Sequence, residues 1–504
     1  MTMMTMILGA LLLAAPCEGL KSLSLANTTI TMAQIVGAGQ FTPGGGGGRG
    51  AGAFRDVPEF CRVTATLKPT SDSDIKIEVW LPTSGWNGNL QAAGNGGMAG
   101  SIGYAAMGGF VRNGFAAAGT DTGHVGMTGD FIIGHPEKLK DYSYRAFHEM
   151  TVASKSMIKA YYGNAPKLSV LNNSGGGGRQ ALMEAQRYPE DYDAIAVPGT
   201  IDVYATKLHF GQAWVYAATH KTEASYIPPE KYPAIHQAAL DKCDALIDGV
   251  KDGIIDNPAS CGFDPKVIEC RGADGPACLT PAQVEAARTI YTPPTNPRTK
   301  ERLYSPLFAG SELGWEGMAG QELFPNADEY FRWVVYGDPN WDYKKRPVNY
   351  DSDFALANKP ETVAIMNADN PDMSAFAKRG GKLLVVGGWA DTGTPPGGSV
   401  DYYNSVVKRM GEKQTRDFFR LFMVPAMGHQ MGTNGPENFN FDSLKTVMDW
   451  KATGKAPDSI VATRYKNGKE VGRRRICPYP QVAAYKGSGA QDDPANFICQ
   501  MPKK

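Results

Sequence analysis

Leu168-Ser-Val-Leu171 runs straight into Asn172-Asn-Ser-Gly-Gly-Gly-Gly-Arg-Gln180, and Ala181-Leu-Met-Glu-Ala-Gln-Arg187 follows. The apolar run reads as a short buried strand. The glycines read as a tight turn, and the segment from about Gln180 to Arg187 reads as a helix. Similar units lie on both sides. Upstream, Leu90 to Gly100 is a strand end with a loop, Phe115-Ala-Ala-Ala-Gly-Thr-Asp-Thr-Gly-His124 is a strand and loop, and Tyr144 to Tyr162 has helical character. Downstream, Ala194-Ile-Ala-Val197, Lys382-Leu-Leu-Val-Val386 and Phe418-Phe-Arg-Leu-Phe-Met-Val424 are further buried strands. Strands alternating with helices predict an α/β fold with a mainly parallel sheet. Cys61-Arg-Val-Thr-Ala-Thr-Leu67 and Ile75-Lys-Ile-Glu-Val-Trp-Leu81 alternate in polarity, as half-buried strands do.

Between about 200 and 375 the strand–helix alternation stops. Aromatics, prolines, an Asp-rich loop and four cysteines collect there. This stretch is expected to be a large inserted lid domain over the sheet, with 54–199 and 376–504 forming the catalytic domain. A chain of 504 residues that is 42% hydrophobic has ample material for both. Lysine plus arginine equals aspartate plus glutamate at 51 each. That balance gives no long-range field for nucleic acid or an anionic membrane.

Three residues follow strands in an order that suggests chemistry. Ser174 lies on the glycine-crowded turn. Asp391 follows Leu383-Leu-Val-Val-Gly-Gly-Trp-Ala390, and His429 follows the strand ending near Pro425. Ser…Asp…His is the chain order of α/β-hydrolases. A serine hydroxyl attacks well only when a base takes its proton. A histidine serves as that base when a carboxylate fixes its tautomer. Gly94-Asn-Gly-Gly97 is the natural second half of an oxyanion hole, because glycine lets N–H groups approach closely. The expected donors are Gly175, Gly96 and Gly97. The same loop could be read as a degenerate dinucleotide fingerprint, but it lacks a following helix and an acidic ribose partner.

Residues 1–19 are expected to be a signal peptide, since Ile7 to Ala15 is an apolar run too short to span a bilayer. Residues 20–53 are expected to be a flexible glycine-rich lead-in. Of eight cysteines, Cys17 is expected to leave with the signal peptide or to sit beside its cleavage point. Three sequence-local pairs read as disulfides in an oxidising compartment, Cys243–Cys261, Cys270–Cys278 and Cys477–Cys499. Unpaired buried thiols are the alternative, and Cys61 is left over. These pairs predict a secreted or periplasmic protein. Asp244-Ala-Leu-Ile-Asp-Gly-Val-Lys-Asp-Gly-Ile-Ile-Asp256 can curl carboxylate and carbonyl oxygens around a hard cation, most plausibly calcium. A solvated acidic turn is the plainer reading.

These stretches resemble the tannase/feruloyl esterase family from about 54 to 499. The likeness is carried by Phe60-Cys-Arg-Val, Trp86-Asn-Gly, Gly94-Asn-Gly-Gly, Gly119-Thr-Asp-Thr-Gly-His and Gly177-Gly-Arg-Gln. Asp248-Gly-Val-Lys-Asp-Gly, Gly388-Trp-Ala-Asp391 and Pro425-Ala-Met-Gly-His429 extend it. The resemblance implies an α/β-hydrolase core, a lid with structural calcium, and hydrolysis of aromatic-acid esters such as galloyl or feruloyl esters. It implies Asp248 and Asp252 as calcium ligands, with the Val250 and Ile254 carbonyls and with Asp244 displaced by one position. It also places a serine where Gly175 stands, and disulfide-bonded cysteines where Ser174 and Gln430 stand. A turn shifted by one residue would let Ser174 serve as nucleophile.

The expectation is therefore a secreted carboxylic ester hydrolase with Ser174, Asp391 and His429 as its triad and calcium as a structural ion. Its partner would be a small aromatic ester or a plant cell-wall phenolic ester, and the chain would act as a monomer or homodimer. Two alternatives are a weakened relative that binds phenolic esters or glycans without efficient hydrolysis, and an amidase or lactonase on the same scaffold.

Overall fold

The computed structural model describes residues 15–43, 51–432 and 436–502. Its core is a nine-stranded sheet in the order β1-β2-β3-β5-β4-β6-β7-β8-β9. The strands are β1 (Thr28–Val36), β2 (Phe60–Leu67), β3 (Ile75–Pro82), β4 (Asn89–Ala93), β5 (Ala116–Thr120), β6 (Leu168–Asn172), β7 (Ala194–Val197), β8 (Lys382–Gly388) and β9 (Phe419–Val424). The pairs β1–β2, β2–β3 and β3–β5 are antiparallel. From β5 through β4, β6, β7 and β8 to β9 every pairing is parallel.

The central strands are apolar on both faces because helices cover both. Leu383 and Val385 share one buried cluster with Phe147 and Met150 of the helix Ala146–Tyr162 and with Leu182 of the helix Gly175–Arg187. Leu384 and Val386 face the other way, against Val447 and Trp450 of the helix Ser443–Thr453. Neighbouring side chains on a strand point to opposite faces, so a strand covered twice must be apolar throughout. Fold class and architecture follow the sequence reading, an α/β-hydrolase core with a mainly parallel sheet. From 198 to 381, between β7 and β8, the chain forms helices and loops but no strand. Beyond β9 lie a three-stranded sheet, β10 (Asn438–Asn440), β11 (Ile460–Lys466) and β12 (Lys469–Ile476), and a hairpin, β13 (Val482–Tyr485) and β14 (Phe497–Gln500).

The N-terminal reading needs correction. Cys17 is buried and bonded to Cys61, the cysteine that had no partner. A signal peptide ending at 19 would carry away half of that bridge. Of the expected signal segment, residues 1–14 lie outside the described residues. Nor is 20–53 only a lead-in, since β1 pairs along β2 from Thr28↔Leu67 to Val36↔Phe60. Residues 44–50, the heart of the glycine run, lie outside the described residues. The three local disulfides form as expected. No helix among the described residues is long and apolar enough to cross a membrane.

The Cys17–Cys61 bridge spans 44 residues and ties the turn that precedes the edge strand β1 to β2. Closing a loop of that length removes entropy from the unfolded chain. Cys17→Ser is therefore expected to cost roughly 2–4 kcal/mol. The check is a lowered thermal midpoint under non-reducing conditions, with no difference between variant and parent once both are reduced.

Candidate active site

β6 ends at Asn172, and the helix Gly175–Arg187 begins three residues later. The helix starts five residues earlier than its sequence suggests, because the glycine run forms its first turn. Glycine is a poor helix former. Close approach overrides that here. A Cβ on Gly176 would lie 2.9 Å from the Asn95 carbonyl oxygen.

The turn's apex is Gly175, at φ +54°. That left-handed conformation is the strained one of a nucleophile elbow, and glycine adopts it freely. A Cβ built on Gly175 would point at the imidazole, 2.8 Å from His429 Nε2. Ser174 sits one position earlier, with an extended backbone at φ −119° and ψ 169°. Its Oγ donates to Gln430 Oε1 instead of to His429. The hydrogen bond from Ser174 to His429 that the expected triad requires is therefore not formed among the described residues. Successive side chains at a turn point in different directions, and the one aimed at the base belongs to residue 175. The expected oxyanion donor moves with it. The residue after the apex is Gly176, not Gly175. The resemblance had already placed the family's serine at Gly175, and the apex stands there.

His429 and Asp391 come together as expected. His429 Nδ1 and Asp391 Oδ2 are 2.9 Å apart. The other carboxylate oxygen accepts the Thr394 N–H at 2.9 Å, and Asp391 is buried. Nδ1–H then donates to the carboxylate, so Nε2 is left as the free base facing Gly175. The negative charge on Asp391 holds the imidazole's pKa above its ordinary value, against the opposing effect of burial.

The second glycine loop is fixed by its own hydrogen bonds. Gly94 N–H donates to Asn173 Oδ1 at 3.1 Å and Asn95 N–H to Gln180 Oε1 at 2.9 Å. Tyr142 Oη donates to the Gly97 carbonyl at 2.6 Å, and Arg179 Nη2 donates to Tyr142 Oη at 3.1 Å. Gly96, Gly97 and Gly176 N–H groups make no hydrogen bond to any described residue. They are the donors left for an oxyanion.

The glycine loop, Tyr142, Asn173, Gly175, Gly176, Arg179, Asp391 and His429 line one cavity of about 860 Å³. Its apolar wall is Leu208, Leu313, Met318, Phe324 and Met366. Sequence patterns did not single these out, since apolar residues of a lid are spaced like any others. The polar wall includes Arg179, Asp202, His209 and Gln212. Burial pushes the His209 imidazole down to about 4, so it is neutral at pH 7. Two large aromatics of the 200–375 stretch, Trp214 and Phe331, lie outside the cavity lining. Trp214 Nε1 donates to backbone carbonyls at Thr289 and Thr292, and Phe331 is core.

A model describing the family "Tannase and feruloyl esterase" matches residues 61–500. The chain belongs to that family. Membership places it among the carboxylic ester hydrolases. An uncharacterized esterase of Xanthomonas campestris pv. campestris is 36% identical, over 96% of this chain and 91% of its own length. A probable feruloyl esterase B-2 of Neosartorya fischeri is 31% identical, over 88% and 86%. The crystal structure of feruloyl esterase B from Aspergillus oryzae superposes with a TM-score of 0.86 at 27% identity, covering 96% of this chain and 99% of that one. A tannin acyl hydrolase from Aspergillus niger superposes with a TM-score of 0.76 over 97% and 93%. Its 21% identity speaks to the shared fold.

The Asp-rich loop lies between the helix Tyr232–Cys243 and the C-terminal strands. Both Asp244 carboxylate oxygens accept backbone N–H groups, from Asp252 at 3.3 Å and Gly253 at 3.0 Å. The Arg474 guanidinium, buried beneath the loop, pairs with Asp248, Asp252 and Asp256. Burial, then the neighbouring Asp256, pushes the Asp248 carboxyl up. Asp252 Oδ1 is buried and accepts no hydrogen bond among the described residues.

Proposed function

We propose that this chain hydrolyses esters of aromatic acids, outside the cell or in the periplasm, with His429 as general base acting on water. The observation that carries the reading is the bare α-carbon of Gly175 opposite a carboxylate-held His429 Nε2, inside a cavity of about 860 Å³. Water bonded to Nε2 attacks the ester carbonyl carbon and gives its proton to the imidazole. Asp391 steadies the resulting cation. The carbonyl oxygen takes the negative charge, and the Gly96, Gly97 and Gly176 N–H groups receive it. The tetrahedral species then expels the alkoxide. The alkoxide takes the proton back from His429, and acid and alcohol leave. The apolar lid wall suits an aromatic acyl group, in line with the esters named for the family's members. Four disulfides support an oxidising compartment.

One observation favours a second route, an acyl-enzyme on Ser174. That hydroxyl lines the same cavity, one residue from the apex. Ser174→Ala decides between them. The water route predicts activity on a chromogenic short-chain ester within about threefold of the parent, an ordinary surface-type change. Loss of two or more orders of magnitude would make Ser174 the nucleophile. No turnover by the parent protein would leave a phenolic-ester or glycan-binding member of the family.

The loop residues that fit a calcium ion are Asp248 and Asp252, with the Val250 and Ile254 carbonyls. The buried, unpartnered Asp252 Oδ1 supports this, because such an oxygen is costly without a donor or cation. Asp244 shapes the loop through its backbone hydrogen bonds. The ion's contribution would be structural, holding the lid against the C-terminal hairpin. Chelation is expected to lower the thermal midpoint, by an amount that follows free calcium as RT ln(1 + [L]/Kd) predicts. Calcium should restore the midpoint, and Asp252→Asn should abolish the response. A midpoint indifferent to chelator and calcium would reduce the loop to an arginine-stapled turn.

A further inference from the structure

Four hydrogen bonds run in series from His209, outside the catalytic pair, to the imidazole of His429. His209 and Gln212 lie on the helix Ala205–Thr219, in the stretch without strands between β7 and β8. Three positions apart, they share a face of that helix. Both are buried. His209 Nδ1 meets Gln212 Oε1 at 2.9 Å, and Gln212 Nε2 donates to the Gly393 carbonyl at 2.7 Å. The N–H of that same peptide unit, on Thr394, donates to Asp391 Oδ1 at 2.9 Å. Asp391 Oδ2 in turn accepts from His429 Nδ1 at 2.9 Å.

Each step has a fixed direction. A carbonyl oxygen only accepts, so the Gln212 amide turns its nitrogen to Gly393 and its oxygen to His209. His209 Nδ1 then carries the proton, and burial keeps the ring neutral. Stacking on Tyr330, with ring centroids 4.3 Å apart, holds the imidazole in place. The Gly393–Thr394 peptide is thus clamped from both sides, by Gln212 on its oxygen and by Asp391 on its nitrogen. Without Gln212 that peptide can turn over, because glycine at 393 tolerates the change of dihedral. Asp391 Oδ1 would then lose the Thr394 donor, and the carboxylate could rotate away from the imidazole. We infer that Gln212 is a positioning residue, which holds the Asp391 carboxylate through the Gly393–Thr394 peptide in the orientation that binds His429. His209 anchors Gln212 for that task. The inference rests on the esterase reading for the role of His429 as base. It goes beyond that reading in naming the groups that keep the carboxylate aligned.

The test is a double-variant cycle in the full-length protein, assayed on an activated ester. Gln212→Met keeps the length of the side chain and removes its N–H. It is expected to lower kcat by about ten- to a hundredfold, the effect of a catalytic group misplaced by about an ångström, with KM within about threefold of the parent. In an Asp391→Asn background the same substitution should cost less than about threefold, because the carboxylate it serves is gone. Equal losses in both backgrounds overturn the inference, since a packing defect acts whether or not residue 391 is charged. So does an unchanged kcat, or a raised KM alone, which would make Gln212 a substrate contact. His209→Leu should act in the same direction with a loss of about three- to tenfold, the range for one hydrogen bond. It takes the place of Gln212→Met in the cycle should that variant fail to fold. Proton NMR supplies a readout that needs no turnover. The proton between His429 and Asp391 gives a far-downfield resonance, assigned by its absence in His429→Ala. It should shift or broaden in Gln212→Met, and a resonance unchanged by that substitution overturns the inference. This readout decides even where the parent cleaves no ester, an outcome that sinks the esterase reading alone.

Discussion

Gly175→Ser is expected to raise kcat/KM on an activated ester by about 10²–10⁴-fold and to make the chain react with a fluorophosphonate. The gain has a known ceiling, because deleting the serine of a serine hydrolase costs on the order of 10⁶ in kcat. A newly introduced serine should recover only part of it. Two local costs set that limit. A side chain at φ +54° carries about 1–3 kcal/mol of backbone strain. In addition, the new Cβ would meet His429 Nε2 at 2.8 Å, so the ring must retreat by several tenths of an ångström. The ring edge is the end of a side chain with room on the cavity side, so the move is feasible. It would leave the hydroxyl within hydrogen-bond reach of its base. Activity assays and peptide mapping of the probe adduct check this. A folded Gly175→Ser protein with neither faster turnover nor labelling at residue 175 would show that Gly175 is not the elbow apex.

Removing the base should be the other large effect. His429→Ala is expected to lower kcat by about 10²–10⁴-fold, the usual contribution of a positioned general base. Asp391→Asn should act through the same imidazole and carries a pH signature. As a base, His429 works in its neutral form, so activity rises with pH as the imidazolium loses its proton. Asp391 raises the imidazole's pKa. The half-point of that rise should therefore lie above the ordinary histidine value of about 6.5. Asp391→Asn removes the charge that favours the imidazolium. The half-point should then move to lower pH while the plateau falls. A pH profile unchanged by Asp391→Asn would dissociate the carboxylate from the base, despite their hydrogen bond.

The fold was legible because buried strands and turn residues leave local signals. Leu383 to Val386 is apolar on both faces, and such a run can sit only inside a covered sheet. Sequence order was enough to pair Asp391 with His429, since both follow strands that end on one edge of that sheet. The nucleophile position was not legible from spacing alone. Ser174 and Gly175 are adjacent, and which of them faces His429 depends on one backbone dihedral. The lid wall left no signal either. Leu208, Leu313 and Met366 meet only after the chain has folded back on itself. The reading in which Cys17 leaves with a leader does not fit its bridge to Cys61, and it arose because a short apolar run precedes the cysteine. Its partner, Cys61, lies 44 residues away, beyond the reach of local pairing.

The proposed route cleaves the ester without a covalent intermediate, because the elbow presents a bare α-carbon to its base. Intact-mass spectrometry of the protein, quenched during steady-state turnover of an activated aromatic ester, tests this directly. The unmodified mass should persist while product accumulates. An added acyl mass, mapped to the peptide containing Ser174, would contradict it.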